Sequence, residues 1–149
     1  MRIGLALGRL GEFIAYQFLR QKGTVVFAAR WDFELDGRPI EVKTAVEHYY
    51  NKDKLSRYCC GLFNAQQQDR HALLCKHHGL YCFVLLKDDG FAAVKLIDAD
   101  SIKLTWWSQI SWTKVFRYKK VCNKKICTEP SFMPWRPFLS RYVLNEMKK

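Results

Sequence analysis

The chain has 149 residues, 49% of them apolar and 15% aromatic, with 25 Lys and Arg against 14 Asp and Glu for a net charge of +11. That composition excludes a disordered or low-complexity protein and suits one α/β domain over 1–149 with its own core, and no window approaches the ~18 uninterrupted apolar residues of a membrane span. The positive charge predicts a polyanionic partner, nucleic acid ahead of an anionic membrane surface.

The opening MRIGLALGRLGEF is too short in its apolar stretch, and too broken by Arg9 and Glu12, for a signal peptide, so a cytoplasmic location is expected. Residues 7–22, LGRLGEFIAYQFLRQK, predict a helix closed by Gly23, with Leu7, Leu10, Ile14 and Phe18 on one face. Ala15, Tyr16 and Leu19 make a second apolar stripe, which leaves Glu12 projecting from a greasy surface. TVVFAA then reads as a short buried strand. WDFEL and RPIEVKTA alternate with period two around Asp36-Gly37, a two-residue hairpin signal.

Residues 46–60 have no clean period and read as a basic, tyrosine-containing connection. Residues 61–78, GLFNAQQQDRHALLCKHH, predict a second helix closed by Gly79. LYCFVLLK and FAAVKLI follow as strands joined at Asp88-Asp89-Gly90. The order helix, three strands, helix, strand pair is that of an α/β layer structure. In 105–122, TWWSQISWTKVFRYKKVC, aromatics interleave with bases and a strand is expected. Residues 128–139 hold three of the four prolines and read as irregular, before a short C-terminal helix. Residues 114–149 carry ten bases and two acids, so the charge is concentrated there.

The six cysteines lack the paired CxxC spacing of a zinc site and are expected as reduced, mostly buried thiols. Cys122 and Cys127 with two distant ligands form the alternative, a structural zinc. On the second helix His71 and Cys75 stand at i and i+4, a metal-compatible spacing, although bases near a helix C-terminus are ordinary.

A two-residue turn at Asp36-Gly37 sets the register: Leu35 faces Arg38, Glu34 faces Pro39, Phe33 faces Ile40 and Asp32 faces Glu41. Trp31, Phe33, Leu35, Ile40 and Val42 then share one face, and Asp32, Glu34, Glu41 and Lys43 the other. Opposed Cβ atoms lie ~4.5–5.5 Å apart, so Asp32 and Glu41 would nearly touch, and like charges so placed destabilise a sheet. A hard divalent cation resolves the conflict; Mg²⁺ binds through one or two carboxylates and completes its shell with water and phosphate oxygens. Lys43, on the same face, could then polarise an attacking water or neutralise developing charge. The competing reading is an exposed strand face whose acids pair with Arg30 and Lys43. Glu34 receives no role from either.

Asp32 followed by Glu41-Val42-Lys43 resembles the D…(D/E)xK signature of the PD-(D/E)XK nuclease superfamily. The stretches GRLGEFIAYQFLRQKG and DFELDGRPIEVKTA are most similar to its Holliday-junction resolvase and related endonuclease branch. Trp31 stands where the motif name has Pro, and the gap from Asp32 to Glu41 is shorter than is usual in resolvases. The resemblance covers about residues 8–97. It implies a mixed central sheet flanked by helices over about 7–97, in the order helix-strand-strand-strand-helix-strand, with a basic C-terminal extension over about 98–149.

It further implies Mg²⁺-dependent hydrolysis of DNA phosphodiester bonds, with Mn²⁺ as a substitute ion. Asp32 and Glu41 would be metal ligands, Glu12 a further ligand directly or through water, and Lys43 the residue activating the nucleophile. A polar residue on the following helix is also common in such nucleases, and Gln66, Gln67 and Gln68 are the candidates. A four-way-junction enzyme is the first expectation, and a site-specific homing or restriction-type endonuclease the alternative. Cutting both strands needs two sites, hence a homo-oligomer. A non-catalytic nucleic-acid-binding protein is the reading from another class. Lys52, Lys54 and Arg57 after the catalytic strand, with Lys114, Arg117, Lys119, Lys120, Lys124 and Lys125 further on, are the expected contacts to double-stranded or branched DNA.

Overall fold

A computed structural model of the chain describes residues 3–50, 58–60, 62–64, 68–102, 109–116 and 130–136. Asp36 and Gly37 both take positive φ, 49° and 83°, the conformation that a two-residue turn matching the twist of its strands demands. Thr24 fastens this turn: its N–H donates to Asp36 Oδ1 at 2.9 Å, and its carbonyl accepts from the Asp36 N–H at 2.9 Å. The turn joins β2 (Phe33–Leu35) to β3 (Arg38–Val46) in the register read from the sequence, Leu35 against Arg38 and Phe33 against Ile40.

These strands belong to a mixed six-stranded sheet. It is completed by β1 (Val25–Phe27), β7 (Leu80–Leu86), β8 (Phe91–Asp98) and β10 (Ser131–Pro134), in the order β1-β2-β3-β7-β8-β10. Only β3 and β7 run parallel, and a parallel pair needs a long crossover. That crossover contains β4 (His48–Tyr50) and β5 (Tyr58–Cys60), which pair with each other, then β6 (Leu62–Asn64) and α2 (Gln68–Lys76). β6 pairs with β9 (Gln109–Ser111), which runs into α3 (Trp112–Phe116). Every residue of β7 is buried, as a central strand covered on both faces must be.

Helix α1 (Ile3–Leu19) covers one face. Its Leu10, Ile14 and Phe18 pack with Ile40, Val42, Cys82 and Val84 in one apolar cluster. Across the sheet, Phe63, Leu74, Tyr81, Phe83, Ile97 and Val115 build the second cluster under α2 and α3. The contact of α1 with β3 is close enough to require glycine: a Cβ on Gly11 would lie 2.7 Å from Thr44 Cβ. No helix among the described residues is long and apolar enough to cross a membrane.

Several expectations are corrected. The predicted helix over 61–78 is only Gln68–Lys76, because Leu62–Asn64 is drawn into strand pairing with Gln109–Ser111. The 46–60 connection contains the β4–β5 ladder. TVVFAA is an edge strand of three residues, with Val26 48% and Phe27 78% exposed, so it is not buried. Trp31 leaves the Phe33 face for the second cluster, because the strand starts at Phe33 and the chain bends just before it. Ser131–Pro134, read as irregular, pairs with β8 as an edge strand, a position that tolerates proline. The expected C-terminal helix lies outside the described residues.

Candidate active site

The ladder between β2 and β3 stops at Phe33 and Ile40, so the next inward N–H on β3, that of Val42, needs another acceptor. Asp32 supplies it, its Oδ2 accepting from Val42 N at 2.8 Å. This bond fixes the Asp32 carboxylate against the strand that carries Glu41 and Lys43. On the neighbouring helix, Glu12 is near enough to Asp32 for each carboxyl to feel the other's charge. Partial burial and then the Asp32 charge push the Glu12 carboxyl above its ordinary range, although its side chain still reaches solvent.

Glu41 is 5% exposed. Burial first, and the Asp32 carboxylate second, raise its carboxyl pKa against the opposing pull of Arg70 and Lys43. Arg70 reaches in from α2: its Nη2 donates to Glu41 Oε1 at 2.7 Å and to the Arg30 carbonyl at 2.7 Å. The same guanidinium lies over the Trp31 ring, 5.1 Å from its centroid. Lys43, half-buried on the same strand face, has its pKa lowered by burial, with Glu41 and Asp32 opposing and Arg70 adding to the fall. It forms no ion pair with either acid.

Three acids and one amine from α1, the head of the hairpin and β3 are near enough for their charges to shift the pKa values of Glu12, Glu41 and Lys43. The detail departs from the expected register. Asp32 is held on the Val42 N–H rather than paired across a ladder with Glu41, and Glu41 is clasped by Arg70. Arg70 escaped the sequence reading, which looked to the glutamines; Gln68 is exposed at the start of α2, and Gln66 and Gln67 lie outside the described residues. The usable signal was spacing: Arg70 stands four residues before Leu74, which is fully buried, and so shares its sheet-facing side.

Glu34 lines an open cleft of about 550 Å³ with Arg30, Trp31, Pro39 and His77, beside the carboxylates rather than among them. His71 and Cys75 do come together, but His71 Nδ1 lies 2.7 Å from the Tyr81 hydroxyl and Cys75 Sγ only 3.6 Å from His71 Nε2. Among the described residues, one trio of potential ligands has all its ligand atoms within 4.8 Å of one another, and it is Glu47, His48 and Asp88. Glu12, Asp32 and Glu41 do not close that tightly. Lys114 is exposed on α3. The other expected DNA contacts, Lys52, Lys54, Arg57, Arg117, Lys119, Lys120, Lys124 and Lys125, and the cysteines Cys122 and Cys127, lie outside the described residues.

Compared with protein-family models, with curated proteins and with solved structures, the chain matches none.

Proposed function

We propose that the chain is a metal-dependent DNA endonuclease built on a PD-(D/E)XK-type core. The observation that carries this reading is the Asp32 carboxylate held 2.8 Å from the Val42 N–H, between the buried Glu41 and the partly desolvated Lys43 of the same strand. The order α1, β1, β2, β3, α2, β7 is compatible with the arrangement that the resemblance implies, with the short strands β4, β5 and β6 added between β3 and α2. The net charge of +11 supports a polyanionic substrate.

The donor set fits a hard divalent ion. It is all oxygen, and the repulsion by Asp32 that helps to raise the Glu12 and Glu41 carboxyls is relieved by a proton or a cation. Glu12, Asp32 and Glu41 would hold Mg²⁺, with Mn²⁺ as a substitute. Bound there, such an ion lowers the pKa of the attacking water and offsets charge on the phosphate. Lys43 does the remaining proton work: burial depresses its pKa, so its amine can accept a proton from water more readily than an exposed lysine. Asp32, anchored on the Val42 N–H, keeps the carboxylates in register with that amine. Arg70 competes for Glu41 and must share or release it when the ion arrives.

A four-way junction is the preferred substrate in this reading, with sequence-specific duplex cleavage as the alternative; cutting both strands would require paired copies of the chain. A non-catalytic DNA-binding protein is the second reading. It draws on the Arg70–Glu41 ion pair, which balances the buried carboxylate without any metal. Incubation with supercoiled plasmid, linear duplex and a four-way junction, with Mg²⁺ or with chelator, separates these readings. Mg²⁺-dependent cleavage, strongest on the junction, is expected. Binding to all three with no cleavage in Mg²⁺ or Mn²⁺ would replace the enzyme with the binding protein.

A further inference from the structure

We propose that Glu47, His48 and Asp88 form a metal site of their own, taking a first-row divalent ion of the Zn²⁺ class at the carboxyl ends of β3 and β7. The three ligand atoms lie within 4.8 Å of one another. They come from positions 40 residues apart in sequence, brought together because β3 and β7 are parallel and end side by side, Val46 against Leu86. The carboxyl ends of parallel strands are a recurrent place for ligands in open α/β sheets.

The framework around the trio is fixed. The Glu47 N–H donates to the Leu86 carbonyl at 2.9 Å, and the Glu47 carbonyl accepts from Trp112 Nε1 at 2.9 Å. The Asp88 N–H donates to Glu47 Oε1 at 3.1 Å, while the Asp88 carbonyl accepts from Arg136 Nη2 at 2.7 Å. His48 stands edge-on to Trp112 at 6.4 Å, with Nδ1 2.8 Å from Asp88 Oδ2. Ligand positions held this way before binding lose little entropy on capture of an ion.

Charge points the same way. Nearby cations are directed elsewhere: Lys87 pairs with Asp89 at 3.2 Å, and Arg136 goes to the Asp88 carbonyl rather than its carboxylate. Among the described residues no Lys or Arg forms an ion pair with Glu47 or Asp88. In a chain of net charge +11, two carboxylates are thus left facing one imidazole. An imidazole nitrogen with two carboxylate oxygens suits Zn²⁺ and its neighbours rather than Mg²⁺, which prefers all-oxygen shells. Three protein ligands leave at least one position open to water or a further group. The Asp88 side chain is 51% exposed and that of His48 32%, so the ion has an entry path. Glu47 lies four strand residues beyond Lys43, ~13 Å away, so this site is independent of the nuclease reading.

Zn²⁺ stoichiometry, measured by equilibrium dialysis of the full chain in excess Mg²⁺, tests the site. The six cysteines can also take Zn²⁺, so the readout is the difference between wild type and the variants His48→Ala and Asp88→Asn. Each variant is expected to bind one equivalent fewer than wild type. Asp88→Asn changes a half-exposed group to its near-isostere, so it reports even where His48→Ala perturbs folding. Wild-type stoichiometry in Asp88→Asn, or loss of the equivalent from wild type on raising Mg²⁺, would overturn the proposal.

Discussion

Arg70 Nη2 lies 2.7 Å from Glu41 Oε1, a guanidinium from one side of the crossover closing on a carboxylate buried in the strand at its other side. This pair makes Arg70 a counter-charge of Glu41. Arg70→Ala would take this counter-charge away from the buried carboxylate. Because the Arg70 side chain is 42% exposed, the cost is expected at about 1–3 kcal/mol rather than that of a fully buried pair. The same variant should bind Mg²⁺ more tightly than wild type and regain stability on its addition. Urea unfolding with and without Mg²⁺ measures both effects; an Arg70→Ala variant that gains nothing from Mg²⁺ would show that Glu41 is no metal ligand.

Stability should respond to pH through Glu12 and Glu41. Both carboxyls are raised above their ordinary values by burial first and the Asp32 charge second. The folded state therefore holds more protons than the unfolded one between the unfolded carboxyl value, about 4.3, and the raised folded values. Their contribution falls as pH rises through that window. Glu12→Gln removes one of the two groups and relieves the other members of the cluster. Its stability relative to wild type should thus increase as pH rises above the ordinary carboxylate range, and Mg²⁺ should shrink the gap. A difference independent of pH would mean that Glu12 is not coupled to Asp32.

Two glycines of α1 should behave oppositely. A Cβ at Gly8 meets nothing within 4 Å, whereas one at Gly11 runs into Thr44 Cβ and Cγ2, both at 2.7 Å. Gly8→Ala should stabilise by about 0.5–1 kcal/mol through helix propensity. Gly11→Ala should destabilise by about 1–3 kcal/mol through overpacking, and should weaken Mg²⁺ binding by pushing Glu12 away from Asp32. Thermal unfolding of the two variants decides this, with equal effects counting against the α1–β3 contact.

Much of this geometry was legible in local pattern. Asp36-Gly37 dictated the turn and hence the pairing of Phe33 with Ile40. Alternation placed Glu41 and Lys43 on one face of β3, and LYCFVLLK and FAAVKLI about the Asp88-Asp89-Gly90 turn predict the strands that form over Leu80–Leu86 and Phe91–Asp98. What local pattern could not carry was long-range pairing. Leu62–Asn64 is a strand because Gln109–Ser111 lies beside it, and Glu47 meets Asp88 because β3 runs parallel to β7. Trp31 failed for a related reason: period-two reasoning assumes an unbroken strand, and this one begins at Phe33. Arg70 was missed because the start of α2 was placed too early, which blurred the helical face that it shares with Leu74.

In the proposed nuclease, Lys43, beside the Glu12, Asp32 and Glu41 carboxyls, carries the proton transfer of phosphodiester hydrolysis. Single-turnover cleavage of a four-way junction by wild type and Lys43→Ala in Mg²⁺, with junction binding by both measured in Ca²⁺, tests it directly. Wild type should cleave, Lys43→Ala should lose at least ~100-fold as expected for removal of a proton-transferring group, and the two proteins should bind the junction nearly equally. Cleavage by Lys43→Ala at the wild-type rate, or no Mg²⁺-dependent cleavage by wild type, would contradict it.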